Sequence, residues 1–214
     1  MQQRIIGITG GIATGKTAVS NYLHTAYDLP ILDADIYARE ALSVELVAAI
    51  ASRYGDRVLT SDRALDRAAL GRIIFQDAAE RQWLESQIHP YVRERLETTA
   101  KQYQPSTVAM VVPLLFEAGM ENLVTEIWVV TCTAEQQLAR LVQRDRLTLQ
   151  EARQRIASQI PLAQKIALAD VVIDNSQTNL ELFKQIDIAV FRSERVGGLG
   201  ALPPRRGEPT SPQT

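Results

Sequence analysis

The chain has 214 residues, 46% of them hydrophobic, and a formal net charge of −2. That length supports one sizeable core and is too short for two full domains, so a single domain with room for an inserted lobe is expected. The near-neutral balance argues against nucleic-acid or membrane partners, and the N-terminal apolar run is too short for a signal peptide. With no stretch of about 18 apolar residues either, a cytoplasmic protein is expected.

In chain order, the first apolar run (residues 4–9) reads as a strand, and the glycine-rich stretch GITGGIATGKT leads from it into a helix over 16–26, with Val19, Leu23 and Ala26 on one face. A second strand is expected over 30–33, ending in the sequence LDAD, where Asp35 suits the N-cap of the next helix. Residues 36–104 contain no convincing strand and read as a helical insertion. It is divided by a turn at Tyr54-Gly55-Asp56 and by His89-Pro90, where the proline should end one helix or occupy the first turn of the next. Strands follow over 107–112 and 126–131. After the latter comes Cys132, the one cysteine, which is read as a buried structural thiol in a reducing compartment. Thr133 with Gln136 has capping-box spacing and opens a helix over 134–147; Thr148 and Glu151 cap another. A fifth strand is expected over 170–174. The tail, 193–214, is rich in Gly and Pro and is expected to be disordered. Nearly continuous apolar runs alternating with helices give the expected fold class, α/β with a doubly wound five-stranded parallel sheet.

Gly10-x-x-x-x-Gly15-Lys16-Thr17 matches the P-loop pattern. Its glycines let successive backbone N–H groups turn inward on a phosphate, and the positive end of the following helix favours the anion. Lys16 supplies a compact charge for the β- and γ-phosphates, and the Thr17 hydroxyl can ligate Mg²⁺. The pattern implies a nucleoside triphosphate and Mg²⁺ but does not say where the γ-phosphate goes. A GTPase would need D-x-x-G and N-K-x-D sequences, and neither occurs. A motor or transporter ATPase would end its third strand in a carboxylate, where this chain has Pro113. Small-molecule kinases remain.

A kinase needs a carboxylate on the acceptor side. Asp33, at the carboxyl end of the second strand, should face the loop and serve as general base or orient the hydroxyl. Charge in transfer needs cations, and residues 140–165 hold six basic residues (Arg140, Arg144, Arg146, Arg153, Arg155, Lys165) against two acidic ones, Asp145 and Glu151. Such a segment can close over the nucleotide as a lid, although any one of these arginines is as readily a solvated helix face.

Together, TGGIATGKT, LDAD-x-x-AR (32–39), LDR (65–67) with IIF (73–75), IHP (88–90), VPLLFE (112–117), QLARLVQRD (137–145) and DVVIDN (170–175) closely resemble the dephospho-CoA kinase family, in order from about residue 4 to about 190. The resemblance implies ATP-dependent phosphorylation of the ribose 3′-hydroxyl of dephospho-coenzyme A. It also implies a P-loop kinase core (1–35 and 106–192), a helical acceptor lobe (36–105) and a lid at about 140–165, within a kinase domain of 1–192. Carried over by position, Gly11, Ile12, Ala13, Thr14, Gly15, Lys16, Thr17 and Ala18 bind ATP phosphates, Thr17 the metal, and Asp33 is the catalytic carboxylate. Arg140 and Arg144 match lid-side arginines near adenine and phosphates, with Lys16 completing the catalytic set; Arg39, His89 and Pro90 match acceptor-side positions. ATP and dephospho-CoA are the implied partners of a monomer or weak homo-oligomer.

Two departures stand out. Where the family has a Pro-Gly turn after DAD-x-x-AR, this chain runs on through residues 40–50, so one continuous helix is expected there. Ala13 and Thr14 replace the usual Gly-Ser at variable loop positions. The acceptor itself stays open on the residues alone, between dephospho-CoA and another small molecule, as does a nucleotide-binding protein without turnover.

Overall fold

Each of the five apolar runs forms a strand, within one residue of its expected bounds at either end. β1 is Ile5–Gly10, β2 Ile31–Asp33, β3 Val108–Val111, β4 Glu126–Thr131 and β5 Val171–Asp174. All neighbouring pairs are parallel, in the order β2-β3-β1-β4-β5. The structure is a computed structural model and describes residues 3–104 and 106–192; the tail expected to be disordered, 193–214, lies outside the described residues. From β1 the chain crosses to β2 at one edge, returns to β3 between them, and then passes over β1 to β4 and β5 on the other side. The connections therefore reverse at β1, and the crevice beyond its carboxyl end is the place where such sheets bind ligands.

Two compact units can be distinguished: residues Met1–Asp33 with Glu97–Thr214, and Ala34–Leu96. In the first, α1 (Lys16–Tyr27) and α9 (Asn179–Arg192) pack together on the sheet. Ile6, Ile8, Trp128 and Val130 of the strands meet Val19, Leu23 and Tyr27 of α1 and Ile186 and Val190 of α9 in one buried cluster. Each such side chain contributes about 1.5–3 kcal/mol by leaving water. The helices are registered by Asp187, whose Oδ1 accepts the Tyr22 hydroxyl at 2.8 Å and the Tyr27 hydroxyl at 2.6 Å. Arg4 is almost wholly buried. It donates to Glu126 at 2.6 Å and to the Val190 carbonyl at 3.0 Å, satisfying the end of α9 where carbonyls lack helical partners. After β4 come α6 (Ala134–Asp145), α7 (Leu149–Ala157) and α8 (Leu162–Ala167). Both expected capping boxes form, Thr133 with Gln136 and Thr148 with Glu151.

The second unit comprises α2 (Ala34–Glu40), α3 (Val44–Tyr54), α4 (Arg67–Gln76) and most of α5 (Ala78–Gln102). Its own core is Ile50, Tyr54, Val58, Leu70 and Leu84. At its edge the Arg53 guanidinium lies 4.6 Å from the Trp83 ring centroid and pairs with Glu80 at 2.6 Å.

Three expectations for this stretch are corrected. The continuous helix over 40–50 is broken into α2 and α3: Ser43 is extended (φ −64, ψ 169) and accepts the Leu46 N–H on its hydroxyl, so a serine N-cap makes the break that a Pro-Gly turn would otherwise make. Asp35 is not an N-cap, because α2 already begins at Ala34 and encloses it in the first turn. Pro90 neither ends nor starts a helix; it lies inside α5. The proline removes the bond to the carbonyl four residues back, Ser86, but both residues are exposed, so water can serve that carbonyl and packing along the rest of the 25-residue helix carries the loss.

Candidate active site

Beyond β1 the loop is set by two glycines that no other residue could replace without strain. Gly10 has φ 145, and a Cβ there would stand 2.3 Å from the Val130 carbonyl oxygen; at Gly15, φ is 106 and a Cβ would stand 1.9 Å from Asn175 Nδ2. The loop then ties itself internally: the Thr14 hydroxyl donates to the Gly11 carbonyl at 2.9 Å, and Ala18 N to the Gly15 carbonyl at 2.9 Å. Thr14 is fully buried, so its side chain braces the loop from inside. Lys16 Nζ donates to the carbonyls of Gly11 at 2.9 Å and Gly10 at 3.3 Å, which holds an ammonium at the loop beside the amino end of α1. Thr17 follows in the first turn of α1 and is exposed.

Side chains from distant parts of the chain grip the loop. Gln137 Nε2, from α6, donates to the Ile12 carbonyl at 2.9 Å, and the Ile12 N–H donates to Gln159 Oε1 at 2.8 Å. Asn175, just past β5, donates Nδ2 to the Thr14 carbonyl at 2.9 Å, while Arg140 donates to the Asn175 carbonyl at 3.0 Å and to the Thr14 carbonyl at 3.5 Å. Arg140 is therefore brought to the loop. Arg144 is bonded instead to the neighbouring Asp145, at 2.7 and 3.2 Å, and Arg155 joins the same carboxylate at 3.0 Å. The Arg144 hydrogen bond holds the Asp145 carboxyl below the usual carboxylate range. Cys132 is half-buried, less than expected, and burial pushes its thiol up against the opposing pull of Arg140.

Gln137, Gln159 and Asn175 were not singled out by sequence reasoning. For Gln137 a signal existed: it shares the buried face of amphipathic α6 with Leu141, and a polar residue on an apolar face calls for a partner. Nothing local marks Gln159.

On the acceptor side, Asp33 ends β2, half-buried, in register with Val111 of β3, which is itself in register with Ile8 of β1. Two strand spacings, about 10 Å, separate β2 from β1 at that level, and both strands run toward the carboxyl edge where the loop begins. The end of β3 carries Pro113, whose carbonyl accepts the Thr9 hydroxyl at 3.2 Å. The next carboxylate along, Glu117, is engaged by the fully buried Lys165 at 2.7 Å. Arg39 lies exposed on α2, half-buried His89 and exposed Pro90 on α5, all three within the helical unit.

The donor set fits Mg²⁺ held mainly by a substrate's phosphates. Thr17 offers one hydroxyl oxygen beside Lys16, and magnesium keeps several waters while taking few protein ligands. Among the described residues no group of three or more His, Cys, Asp or Glu side chains is arranged to hold a metal by itself.

Because Gly15 both opens α1 at positive φ and abuts Asn175, Gly15→Ala should strain the backbone and push Asn175 off the Thr14 carbonyl. We expect ATP affinity to fall by roughly tenfold or more in titration calorimetry, with the circular dichroism spectrum unchanged. An unaltered affinity would show that the loop relaxes around the methyl group.

The family model described as dephospho-CoA kinase matches residues 4–181. The chain belongs to the dephospho-CoA kinase family. A dephospho-CoA kinase of Trichormus variabilis is 58% identical over 193 residues, covering 89% of this chain and 98% of that protein, and one from Synechocystis is 54% identical over 188 residues, covering 86% and 94%. Among solved structures, a Thermus thermophilus protein superposes with a TM-score of 0.77 at 31% identity, covering 90% of this chain and 98% of its own. Dephospho-CoA kinase from Campylobacter jejuni superposes with a TM-score of 0.67 at 25% identity, covering 91% and 99%. Shikimate kinase from Acinetobacter baumannii, at 16% identity and a TM-score of 0.54, shares the fold. As a member of this kinase family the chain is a phosphotransferase, and among the described residues no helix is long and apolar enough to cross a membrane.

Proposed function

We propose that the chain transfers the γ-phosphoryl group of ATP to the ribose 3′-hydroxyl of dephospho-coenzyme A, giving coenzyme A and ADP, the last step of coenzyme A biosynthesis. The observation that carries this reading is the pairing of a complete P-loop, with Lys16 Nζ held at its mouth, and a carboxylate, Asp33, at the carboxyl edge of the same sheet. Asp33 suits an acceptor hydroxyl by its place at the carboxyl end of β2, whereas the Glu117 carboxylate after β3 neutralises the buried Lys165.

In this reading the acceptor oxygen forms a bond to the γ-phosphorus, the bond to the β–γ bridging oxygen breaks, and the hydroxyl proton passes to Asp33. Lys16 and the amides of the Gly11–Ala18 loop, apart from the Ile12 N–H that is given to Gln159, take up the charge of the phosphates, and Arg140 adds a guanidinium beside Thr14. Mg²⁺ supplies further charge neutralisation, with the Thr17 hydroxyl as its protein ligand. Arg144 stabilises the lid through Asp145 and reaches the nucleotide by exchanging that partner. Residues 36–105 form the acceptor lobe, in which Arg39, His89 and Pro90 contact dephospho-CoA, and about 140–165 the lid. The single, half-buried cysteine suits a reducing cytoplasm.

The test is ADP release with Mg-ATP across a panel of dephospho-CoA, nucleoside monophosphates, shikimate and pantothenate. Turnover with dephospho-CoA at least about 10²-fold above the other acceptors in kcat/KM is expected. Preference for any other acceptor would overturn the assignment, and ATP binding without turnover on any of them would favour a regulatory nucleotide-binding protein.

A further inference from the structure

The turn between α7 and α8 is held from outside at two sites. On one side, Glu117 Oε1 accepts the Ile160 N–H at 3.1 Å and lies 2.7 Å from Lys165 Nζ, which also donates to the Pro113 carbonyl at 3.4 Å. Lys165 is 0% exposed, and a buried ammonium is tolerable only when paired, so this post resists being pulled apart. It fixes the backbone at Ile160, the residue after Gln159. On the other side, Gln159 Oε1 accepts the Ile12 N–H at 2.8 Å, and the carbonyl of the same residue accepts from Gln137 Nε2 at 2.9 Å. One residue of the phosphate loop is thus gripped at both ends by carboxamides, one from α6 and one from the α7–α8 turn.

We propose that Gln159 is a positioning residue for phosphoryl transfer, tying the lid to the phosphate loop through the Ile12 amide at a point set by the Glu117–Lys165 pair. This rests on the kinase reading above and deepens it. Ile12 stands at the head of the loop, so the plane of its peptide group sets the direction from which the following amides start. Those amides stabilise charge in transfer only when held within about 0.5 Å of the productive geometry. A lid that bonds directly to this peptide orients the loop and the lid as one piece. Gln159 is itself half-buried, and its side-chain bond runs to Ile12, while the bonds of the post are made by Glu117, Lys165 and backbone groups that its replacement keeps.

Gln159→Leu and Gln159→Glu separate the tie from mere packing. For Gln159→Leu, kcat with dephospho-CoA should fall about tenfold, with the KM for dephospho-CoA within about twofold. Hydrogen–deuterium exchange should speed up in the peptide spanning the loop and remain unchanged in peptides from β3 and β4. Gln159→Glu keeps an acceptor for the Ile12 N–H, so loop protection should return, while its added negative charge raises the KM for ATP. Unchanged kcat and unchanged loop exchange in Gln159→Leu would overturn the proposal, as would exchange that rises equally throughout the chain. A lower KM for ATP at unchanged kcat would also overturn it, since the side chain would then be competing with the nucleotide. The exchange measurement needs no acceptor substrate, so it stands apart from the assignment of dephospho-CoA, which the wild-type acceptor panel decides alone.

Discussion

Lys16→Ala is expected to lower kcat by about 10³-fold or more, the largest effect of any single substitution in the loop. At about 1.4 kcal/mol per tenfold, this corresponds to about 4 kcal/mol of transition-state stabilisation. The structure gives the reason for the asymmetry between turnover and binding. Lys16 Nζ is bonded to two loop carbonyls, at 2.9 and 3.3 Å, and can exchange those dipoles for phosphate oxygens without moving far. The loop amides and the positive end of α1 survive the substitution, so the resting affinity for ATP should weaken less than kcat. Lys16→Arg should not restore activity, because a bulkier planar fork replaces a compact point charge. Steady-state kinetics with a parallel ATP titration check this, and a kcat within tenfold of wild type would show that the loop backbone alone carries the stabilisation.

The sheet was legible because strands buried on both faces read as continuous apolar runs, as in β3, where all four residues are buried. The caps were legible because a capping box is a code four residues long, written entirely within the local sequence. What was missed in the helical insertion depends on surroundings. Pro90 is tolerated inside α5 because it and Ser86 are exposed, a property that the pair His-Pro does not encode. Ser43 was overlooked because a serine is a far weaker marker of a break than Pro-Gly, although it caps α3.

The loop and Asp33 were legible for a different reason: each has a fixed place relative to a strand end, and the strands themselves were readable. The residues that hold the loop in position were not. Gln137, Gln159 and Asn175 act across 125, 147 and 161 residues of sequence, so only the folded chain brings them to Ile12 and Thr14. The basic segment illustrates the same limit. Its local excess of charge suggested a set of arginines over the nucleotide, but their partners divide them: Arg140 goes to the loop, Arg144 and Arg155 to Asp145, and Lys165 to Glu117.

Asp33→Asn is expected to lower kcat by about 10²-fold or more while the KM for ATP stays within about twofold. Asparagine has the same shape and retains a hydrogen-bond acceptor at the end of β2, so the sheet and the level set by Val111 should persist. What it loses is the charge that attracts and accepts the hydroxyl proton. A nearby carboxylate could in principle take over that work, and in this fold the natural candidate is Glu117, after β3. That group already neutralises a fully buried ammonium and accepts the Ile160 N–H; drawing it away would strand Lys165 in the interior, which costs far more than the rescue could return. The defect should therefore be uncompensated. If ATP affinity in Asp33→Asn falls as far as kcat does, the carboxylate is holding metal or structure instead of receiving the proton.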